Sequence, residues 1–318
     1  MKQKCVLAKS PEGSSDESLV MIRQAVEVSE YPFVAALSQR TVYHGYTDIK
    51  TGKTLETHTR PFCSGVLISP RHILTAAHCL YKRSKTFCAH GLHPPIRPAE
   101  RIGVFLESSC TTRRCWKSEK IYEISSVVPH PNYTCSNTDY DIGTIELNKS
   151  VNIAPVCMPE ADSVISSPEK IESIGYGDVG GQRLQSVRYQ FVQQYKKTIF
   201  VYNKTSNVIA DIVGGDSGGP LIQNLEEKHF LLGIASYNAT AKEFSSFFGN
   251  GKVASVGVGG MFSDVRKHLD WICDETGVCP LSGATSHQSE WTPSPPPSTV
   301  SAVFSVVPND DNKKDVES

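Results

Sequence analysis

Short apolar runs separated by turn residues fill the sequence from Tyr31 to about Ile272. Several of them alternate apolar with polar residues and carry β-branched or aromatic side chains, as half-buried strands do. The clearest are FVAAL (33–37), SGVLI (64–68), RIGVFL (101–106), IGTIEL (142–147), VRYQFV (187–192) and FLLGIAS (230–236). No βαβ rhythm separates these runs, so we predict an all-β barrel or sandwich and not a parallel α/β sheet.

One segment predicts a helix, namely SDVRKHLDWI at 263–272. Ser263 suits its N-cap, and Val265, Leu269 and Ile272 recur at the helical period on one face. A short helix is therefore expected at the end of the apolar region.

The flanks of the apolar region are polar. Residues 1–30 form a propeptide-like lead-in, and residues 280–318 are so rich in proline, serine and charge that we predict disorder. The expected domain is therefore 31–279.

Charge and hydropathy exclude some partners. The 318 residues carry a formal net charge of −1, which offers no electrostatic attraction to nucleic acid or an acidic membrane. No stretch approaches eighteen apolar residues, so no transmembrane helix is expected. We predict neither a nucleic-acid nor a membrane partner.

Cysteines and sequons indicate the compartment. Ten cysteines, an even number without a CxxC pair, disfavour a structural zinc site and favour disulfides. Four glycosylation sequons begin at Asn132, Asn148, Asn203 and Asn238. We predict a secreted glycoprotein. The stretch MKQKCVLAKSPEGSSDE has no apolar run long enough for a signal peptide. Either a natural first segment is missing before it, which we favour, or export is unconventional.

The strongest local signal is GGDSGGP at 214–220. Glycines let the backbone adopt conformations that a Cβ would forbid, which brings it close to a substrate. In such a turn Ser217 suits a nucleophile, and the amides of Gly215 and Ser217 would face a developing oxyanion. The alternative is a glycine-rich surface turn between strands.

A second segment, CSGVLISPRHILTAAHC (63–79), places His78 at the end of an apolar strand beside Cys79. An imidazole hydrogen-bonded to a serine can take and return a proton near neutral pH. A bridge between Cys63 and Cys79 would hold the strand that presents the histidine.

A third segment supplies a carboxylate. Asp141 stands immediately before an apolar strand, where it could be buried against the second nitrogen of the histidine and fix its tautomer. Asp139, two residues earlier, is the competing candidate. We favour Asp141 because the apolar run begins directly after it.

The order His78, Asp141, Ser217 is that of chymotrypsin. TAAHC, HPNY, DIGTIEL, GYG (175–177), GDSGGP, GIAS (233–236) and the closing SDVRKHLDWI follow in the order of known landmarks. From about 31 to 272 the sequence resembles the trypsin/chymotrypsin family of serine endopeptidases. The resemblance implies two antiparallel six-stranded β-barrels with a short C-terminal helix, a crossover near 152–163, and two-step acyl transfer that requires no metal or organic cofactor.

The resemblance also implies substrate-binding residues. Ser236 matches a serine that hydrogen-bonds the catalytic aspartate, and 236–238 matches the segment that pairs with the substrate backbone. Asp211 matches the floor of a pocket selecting Lys or Arg. Asn238 and Gly260 occupy the positions of the pocket-wall glycines.

The disulfide pattern departs from the family. Val213 replaces a pocket cysteine, and Ile171 and Gln223 replace both halves of another bridge. Cys157 matches a propeptide-tethering cysteine, with Cys5 its obvious partner. The pairing of the other six cysteines stays open. We expect two bridges among Cys88, Cys110, Cys115 and Cys135. Cys273 and Cys279 could close a small terminal loop. The pattern resembles divergent nematode trypsin-like proteases.

Activation in the family uses a cut whose new N-terminal ammonium pairs with the residue before the nucleophile, here Asp216. The matching segment VMIRQ (20–24) is degenerate, and a cut after Arg23 would expose a polar Gln24. The leading hypothesis is a secreted zymogen of an endopeptidase that cuts proteins or peptides after Lys or Arg, with an activating protease and protein inhibitors as partners. The alternatives are a catalytically silent homologue that binds a partner and, more weakly, a serine esterase.

Overall fold

The structure is a computed structural model that describes residues 5, 23–49, 52, 54–82, 85–89, 94–109, 120–135, 138–165, 170–177, 183–189, 191–203, 212–239 and 258–280. These residues form antiparallel strands with few helices. The strands are β1 (Arg23–Ala25), β2 (Val34–Thr47), β3 (Thr54–Leu67), β4 (His72–Thr75), β5 (Ile102–Leu106), β6 (Ile124–Pro129), β7 (Gly143–Leu147), β8 (Ile171–Gly175), β9 (Gln185–Arg188), β10 (Phe191–Tyr195), β11 (Thr198–Asn203), β12 (Pro220–Leu225), β13 (Lys228–Ala239) and β14 (Val258–Asp264). The helices are α1 (Ala77–Leu80), α2 (Lys85–Ala89) and α3 (Leu269–Thr276), and short 3-10 turns cover Ala99–Arg101, Thr138–Tyr140 and Val265–Lys267.

The first sheet has six strands in the order β5-β2-β3-β4-β7-β6. Its base is buried on both faces, because Val34–Ser38 of β2 are all covered while the far half of the β2–β3 hairpin is exposed. Cys63–Leu67 of β3 and Ile73–Thr75 of β4 continue this buried layer. Strands β3 and β4, which lead to the predicted His78, therefore lie largely within the buried part of the sheet.

The second sheet has eight strands in the order β1-β9-β8-β12-β13-β14-β11-β10. The predicted all-β class with antiparallel strands and a short C-terminal helix is confirmed, and two sheets stand where two six-stranded barrels were expected. Eight strands replace the expected six because β1 and β10 extend the two edges of the sheet. Strand β1 lies in the segment 1–30 that was expected to be a polar lead-in, and it pairs with β9 through Arg23 and Val187.

One core cluster contains side chains from both sheets. Val34 and Val66 of the first sheet belong to the same buried cluster as Ile222 and Ile234 of the second. Removal of this apolar surface from water drives the two sheets together. No helix among the described residues is long and apolar enough to cross a membrane.

The predicted helix at 263–272 is wrong in its start. Strand β14 continues to Asp264, whose side chain caps a 3-10 turn by accepting a hydrogen bond from the Arg266 amide, and α3 begins only at Leu269. The predicted apolar face is buried all the same. The run at 187–192 likewise belongs to two strands, β9 and β10.

Four disulfides join described cysteines: Cys5–Cys157, Cys63–Cys79, Cys88–Cys135 and Cys273–Cys279. Cys110 and Cys115 lie outside the described residues. Ile171 and Gln223 are direct partners across β8 and β12, and both side chains are buried. The two residues that replace a family bridge therefore face each other.

The sequons differ in exposure. Asn132, Asn148 and Asn238 are exposed, whereas Asn203 is 0% exposed and donates a hydrogen bond to the Arg188 carbonyl. A glycan needs an accessible side-chain amide, and that of Asn203 is buried in this fold. The predicted disordered tail, apart from residue 280, lies outside the described residues.

Candidate active site

His78 lies where β4 leads into α1. Its side chain is 20% exposed, so one face of the ring remains accessible to a substrate. The neighbouring Cys79 is bonded to Cys63 of β3, and this bond ties the short helix to the sheet that precedes it. A ring held at the end of a buried strand loses little freedom when it reacts.

Asp141 is fully buried and binds His78 twice. Its Oδ1 accepts the His78 amide at 2.9 Å, and its Oδ2 lies 2.8 Å from Nδ1 of the ring. The Ser236 hydroxyl donates to Oδ2 at 2.5 Å. Ser236 sits at a break in the pairing of β13 with β14, and such a bulge can redirect a side chain.

The charge of Asp141 is held by these contacts. Burial is the largest influence and would raise its pKa, but the attraction and hydrogen bonds of His78 and the hydrogen bond of Ser236 together lower the pKa below its ordinary value. The carboxylate therefore stays ionised at neutral pH and fixes the proton of His78 on Nδ1.

The competing Asp139 faces elsewhere. It belongs to the 3-10 turn Thr138–Tyr140, and its Oδ1 accepts the Thr198 hydroxyl at 3.3 Å. The tight turn breaks the strand alternation that would have aimed both carboxylates the same way. The structure brings Asp141 to His78.

The turn at Ser217 is shaped by positive φ angles at its glycines. Gly215 has φ +107° and Gly218 φ +82°, conformations that an L side chain rarely adopts. Ser64 of β3 holds this turn, because its hydroxyl donates to the Gly215 carbonyl at 2.8 Å and its amide donates to the Ser217 carbonyl at 2.7 Å.

Two backbone amides of the turn at Ser217 are available to bind a ligand, whereas two others already donate hydrogen bonds. Asp216 donates its amide to the Val213 carbonyl at 3.0 Å, and Gly218 donates its amide to the Ala235 carbonyl at 2.7 Å. Within the described residues, the amides of Gly215 and Ser217 donate no hydrogen bond. These are the two donors predicted to face an oxyanion.

The Cys63–Cys79 bridge lies between the turn and the histidine. Sγ of Cys79 is 3.7 Å from Nε2 of His78 and 3.7 Å from the carbonyl oxygen of Ser217. In the described part of the chain no hydrogen bond joins the Ser217 hydroxyl to His78, and such contacts are often long before substrate binds. The three predicted residues thus lie around one site.

Asp216 points away from the turn into a buried polar pocket. Its Oδ1 accepts the Gly177 amide at 2.8 Å, and its Oδ2 accepts the Val213 amide at 3.1 Å. Nη2 of Arg23 contacts the same Oδ2 at 2.5 Å. The cation that pairs with Asp216 is therefore a side chain, not a chain terminus as the resemblance implied.

Comparison with known proteins agrees with this arrangement. The family model described as Trypsin matches residues 38–272. This chain belongs to the trypsin family. Phenoloxidase-activating factor 1 of Holotrichia diomphalia is 28% identical over 235 residues, which cover 66% of this chain and 60% of that protein. Vitamin K-dependent protein C of Oryctolagus cuniculus is 25% identical over 247 residues, which cover 69% of this chain and 47% of that protein. The chain spans about half to three fifths of the length of these curated relatives.

Three of the four predicted substrate-binding residues of this trypsin-family chain, Ser236, Asn238 and Gly260, lie on β13 and β14. Asn238 is exposed and pairs with Gly260, where a Cβ would meet Ile212 at 2.6 Å. Asp211, the predicted pocket floor, lies outside the described residues. Val213, which replaces a family cysteine, is half-buried beside the turn.

Two contacts of this trypsin-family site were missed by sequence reasoning. The Tyr237 ring lies 5.5 Å from that of His78, and burial followed by the charge of Asp141 raises the Tyr237 pKa. The second is the pair of hydrogen bonds that Ser64 donates to the carbonyls of Gly215 and Ser217. Tyr237 lies between the predicted residues Ser236 and Asn238, but no local sequence pattern indicated that its ring would point towards His78.

A group of possible metal ligands also occurs here. Cys63, His78 and Cys79 have ligand atoms within 4.8 Å of one another. The two sulfurs form a disulfide, whereas the metal-binding form of cysteine is the thiolate. The donor set does not fit a metal.

Proposed function

We propose that this chain is a secreted serine endopeptidase in which Ser217 is the nucleophile, His78 the general base and acid, and Asp141 the residue that orients His78. The observation that carries the proposal is the double hydrogen bond of the buried Asp141 to the amide and ring of His78. A carboxylate in this position keeps Nε2 free to accept a proton.

The acylation step follows from these roles. The Ser217 oxygen attacks the peptide carbonyl carbon while its proton passes to Nε2 of His78. The carbonyl oxygen becomes an oxyanion and accepts hydrogen bonds from the amides of Gly215 and Ser217. Collapse breaks the C–N bond, and the leaving amine takes the proton from His78.

The deacylation step regenerates the enzyme. Water loses a proton to His78 and attacks the ester carbonyl, and the same two amides again stabilise the oxyanion. The C–O bond to Ser217 breaks, and the serine recovers its proton from His78. The products are a carboxylic acid and an amine, and the protein is unchanged.

We assign specificity for Lys or Arg before the scissile bond to Asp211, because the family resemblance matches it to the pocket floor, where a carboxylate favours a cationic side chain. Asp211→Ser should lower kcat/KM for Arg peptides by at least 100-fold while leaving kcat/KM for Leu peptides within about threefold. Unchanged preference for Arg would exclude Asp211 from the pocket. Expected partners are protein substrates and inhibitors.

The test of the activity is covalent labelling with a fluorophosphonate probe. The chain is expressed behind a signal peptide, and labelling and peptide cleavage are measured before and after limited trypsin treatment. Labelling should disappear in Ser217→Ala. If the folded chain never labels, the rival assignment as a silent homologue that binds a partner takes its place.

Two neighbouring carboxylates give a matched control. Asp141→Asn should lower kcat by about 10⁴-fold, because the amide favours the wrong tautomer of His78. Asp139→Asn, two residues away, should leave kcat within about twofold since Asp139 binds Thr198 instead. Equal losses in both variants would contradict the assigned role of Asp141.

A further inference from the structure

The ion pair between Arg23 and Asp216 lies inside the protein. The side chain of Arg23 is 7% exposed and that of Asp216 11%. Nη2 of Arg23 contacts Oδ2 of Asp216 at 2.5 Å, and Nη1 donates to Oε1 of Gln185 at 2.7 Å. A buried carboxylate without a cation is strongly unfavourable, so this guanidinium supports the charge of Asp216.

The pocket around Asp216 is closely fitted. Backbone amides of Gly177 and Val213 bind its two oxygens. A Cβ on Gly175 or Gly177 would lie 2.6 or 2.5 Å from Oδ1 of Asp216. The amides of Gly177 and Val213 and the glycines thus surround the Asp216 carboxylate, and the guanidinium of Arg23 lies beside its Oδ2.

Arg23 reaches this pocket from a continuous chain. It begins β1, where it is paired with Val187 of β9, and three residues later the Val26 amide donates to the Leu184 carbonyl at 2.9 Å. A protease that cuts after arginine must bind that side chain, which here is buried in an ion pair. The bond after Arg23 is therefore a poor cleavage site in the folded protein.

Asp216 stands between the two oxyanion donors. Gly215 precedes it and Ser217 follows it. The Asp216 amide donates a hydrogen bond to the Val213 carbonyl, and the Asp216 carbonyl accepts one from the Gly219 amide at 2.8 Å, so the backbone of Asp216 is fixed. A backbone rotation that carries Asp216 out of its pocket would turn the amides of Gly215 and Ser217. The cation that holds the Asp216 carboxylate thus controls the geometry of the turn.

We propose that Arg23 is a positioning residue that orders the oxyanion turn through Asp216 while the chain is uncut, so that no new N-terminus is required. The inference rests on the proposed function, since it concerns the same catalytic site. It replaces the expectation of activation by a cut near residues 20–24. The role implies that no activating protease acts at this bond.

The first measurement uses the full chain without protease treatment. Reducing gels and intact mass establish that it is uncut, and reduction is needed because Cys5–Cys157 would hold a severed segment in place. We expect the uncut chain to label with fluorophosphonate and to cleave peptides. Limited trypsin treatment should not cut after Arg23 and should change kcat by less than twofold.

The second measurement uses variants at Arg23. Arg23→Met removes the charge but keeps an apolar stem, and we expect kcat to fall by about 100-fold, as for loss of an oxyanion donor, with KM within about threefold. Arg23→Lys keeps the charge and should stay within about tenfold of the parent kcat. Arg266→Met is the control, because it breaks another buried Arg–Asp pair, with Asp264, and should leave kcat unchanged.

Hydrogen exchange separates this inference from the proposed function. In the uncut parent the hydrogen-bonded amides of Val213, Asp216, Gly218 and Gly219 should exchange slowly, and in Arg23→Met at least tenfold faster, whether or not the protein labels. Labelling only after a cut, or a folded Arg23→Met with parental kcat and exchange, would overturn the role of Arg23. Absence of labelling with the exchange difference intact would overturn the proposed activity alone.

Discussion

The hydroxyl of Ser236 donates to the same oxygen of Asp141, Oδ2, that contacts the ring of His78. A second serine, Ser263, donates to the backbone carbonyl of Asp141 at 2.9 Å. The two buried serines thus bind one residue at two chemically different places, the carboxylate and the peptide group.

Replacement of each serine by alanine should have different effects. Ser236→Ala removes a hydrogen bond to a charged group, and we expect kcat to fall about tenfold. Ser263→Ala leaves the carboxylate intact and should lower the free energy of unfolding by about 1 kcal/mol with kcat unchanged. Steady-state kinetics and denaturant titration measure both, and a larger kcat loss in Ser263→Ala would contradict this division.

The pair Ile171 and Gln223 should accept a disulfide. Because they are direct partners across β8 and β12, Ile171→Cys/Gln223→Cys should oxidise without rearranging the sheet. We expect a gain of roughly 2–4 kcal/mol in the free energy of unfolding. Mass spectrometry with and without reduction counts the bonds, and either single cysteine variant is the control. Free thiols at both positions would show that the register is different.

Two buried histidines should make the protein less stable in acid. Burial, with Lys197 nearby, lowers the pKa of His130 to about 4, and burial with Lys197 and His130 lowers that of His268 to about 3. The unfolded chain binds these protons near pH 6.5 but the native chain does not. The free energy of unfolding therefore falls as the pH decreases from 6.5 towards 4.

Substitution of His268 tests this dependence. His268→Phe should remove up to about 3 kcal/mol of the stability loss between pH 7 and pH 4. The exposed His44 offers a control, since His44→Phe should leave the slope against pH unchanged. Denaturant titrations at several pH values measure both slopes, and equal slopes for parent and His268→Phe would disprove the assignment.

Two glycines with similar φ angles should respond differently to alanine. A Cβ on Gly218 would collide with Thr75 and the Ser64 carbonyl, whereas one on Gly277 would meet nothing within 4 Å. Gly218→Ala should abolish labelling of Ser217 and lower stability by more than about 3 kcal/mol. Gly277→Ala carries only the backbone strain, about 1 kcal/mol, with normal labelling. Labelling of Gly218→Ala at the parental rate would contradict this crowding.

Glycan mapping tests the exposure of the sequons. Secreted protein should carry glycans at Asn132, Asn148 or Asn238 and none at Asn203, because only the first three are accessible in the fold. Asn148→Gln should reduce the mass by one glycan if that site is occupied, while Asn203→Gln should not. A glycan at Asn203 would show that β11 is placed differently.

Much of the architecture followed from local pattern. Short apolar runs with turn residues predicted the strands, because burial on one or both faces of a sheet leaves a period of two or a continuous apolar run. The segments around His78, Asp141 and Ser217 were identified because each places a polar or charged side chain next to an apolar strand or within a glycine-rich turn. Their order along the chain is a property of the sequence alone.

Tertiary contacts decided the remainder. The apolar run after Asp141 favoured it over Asp139, but the 3-10 turn that breaks strand alternation is what directs only Asp141 to His78. The sequence offered Arg23 as a cleavage site, yet its guanidinium lies beside Asp216, 193 residues away in the chain. Asn203 satisfied a sequon and is buried. Residue type and spacing are local, whereas the partner of a charge and the burial of a side chain depend on packing between distant segments.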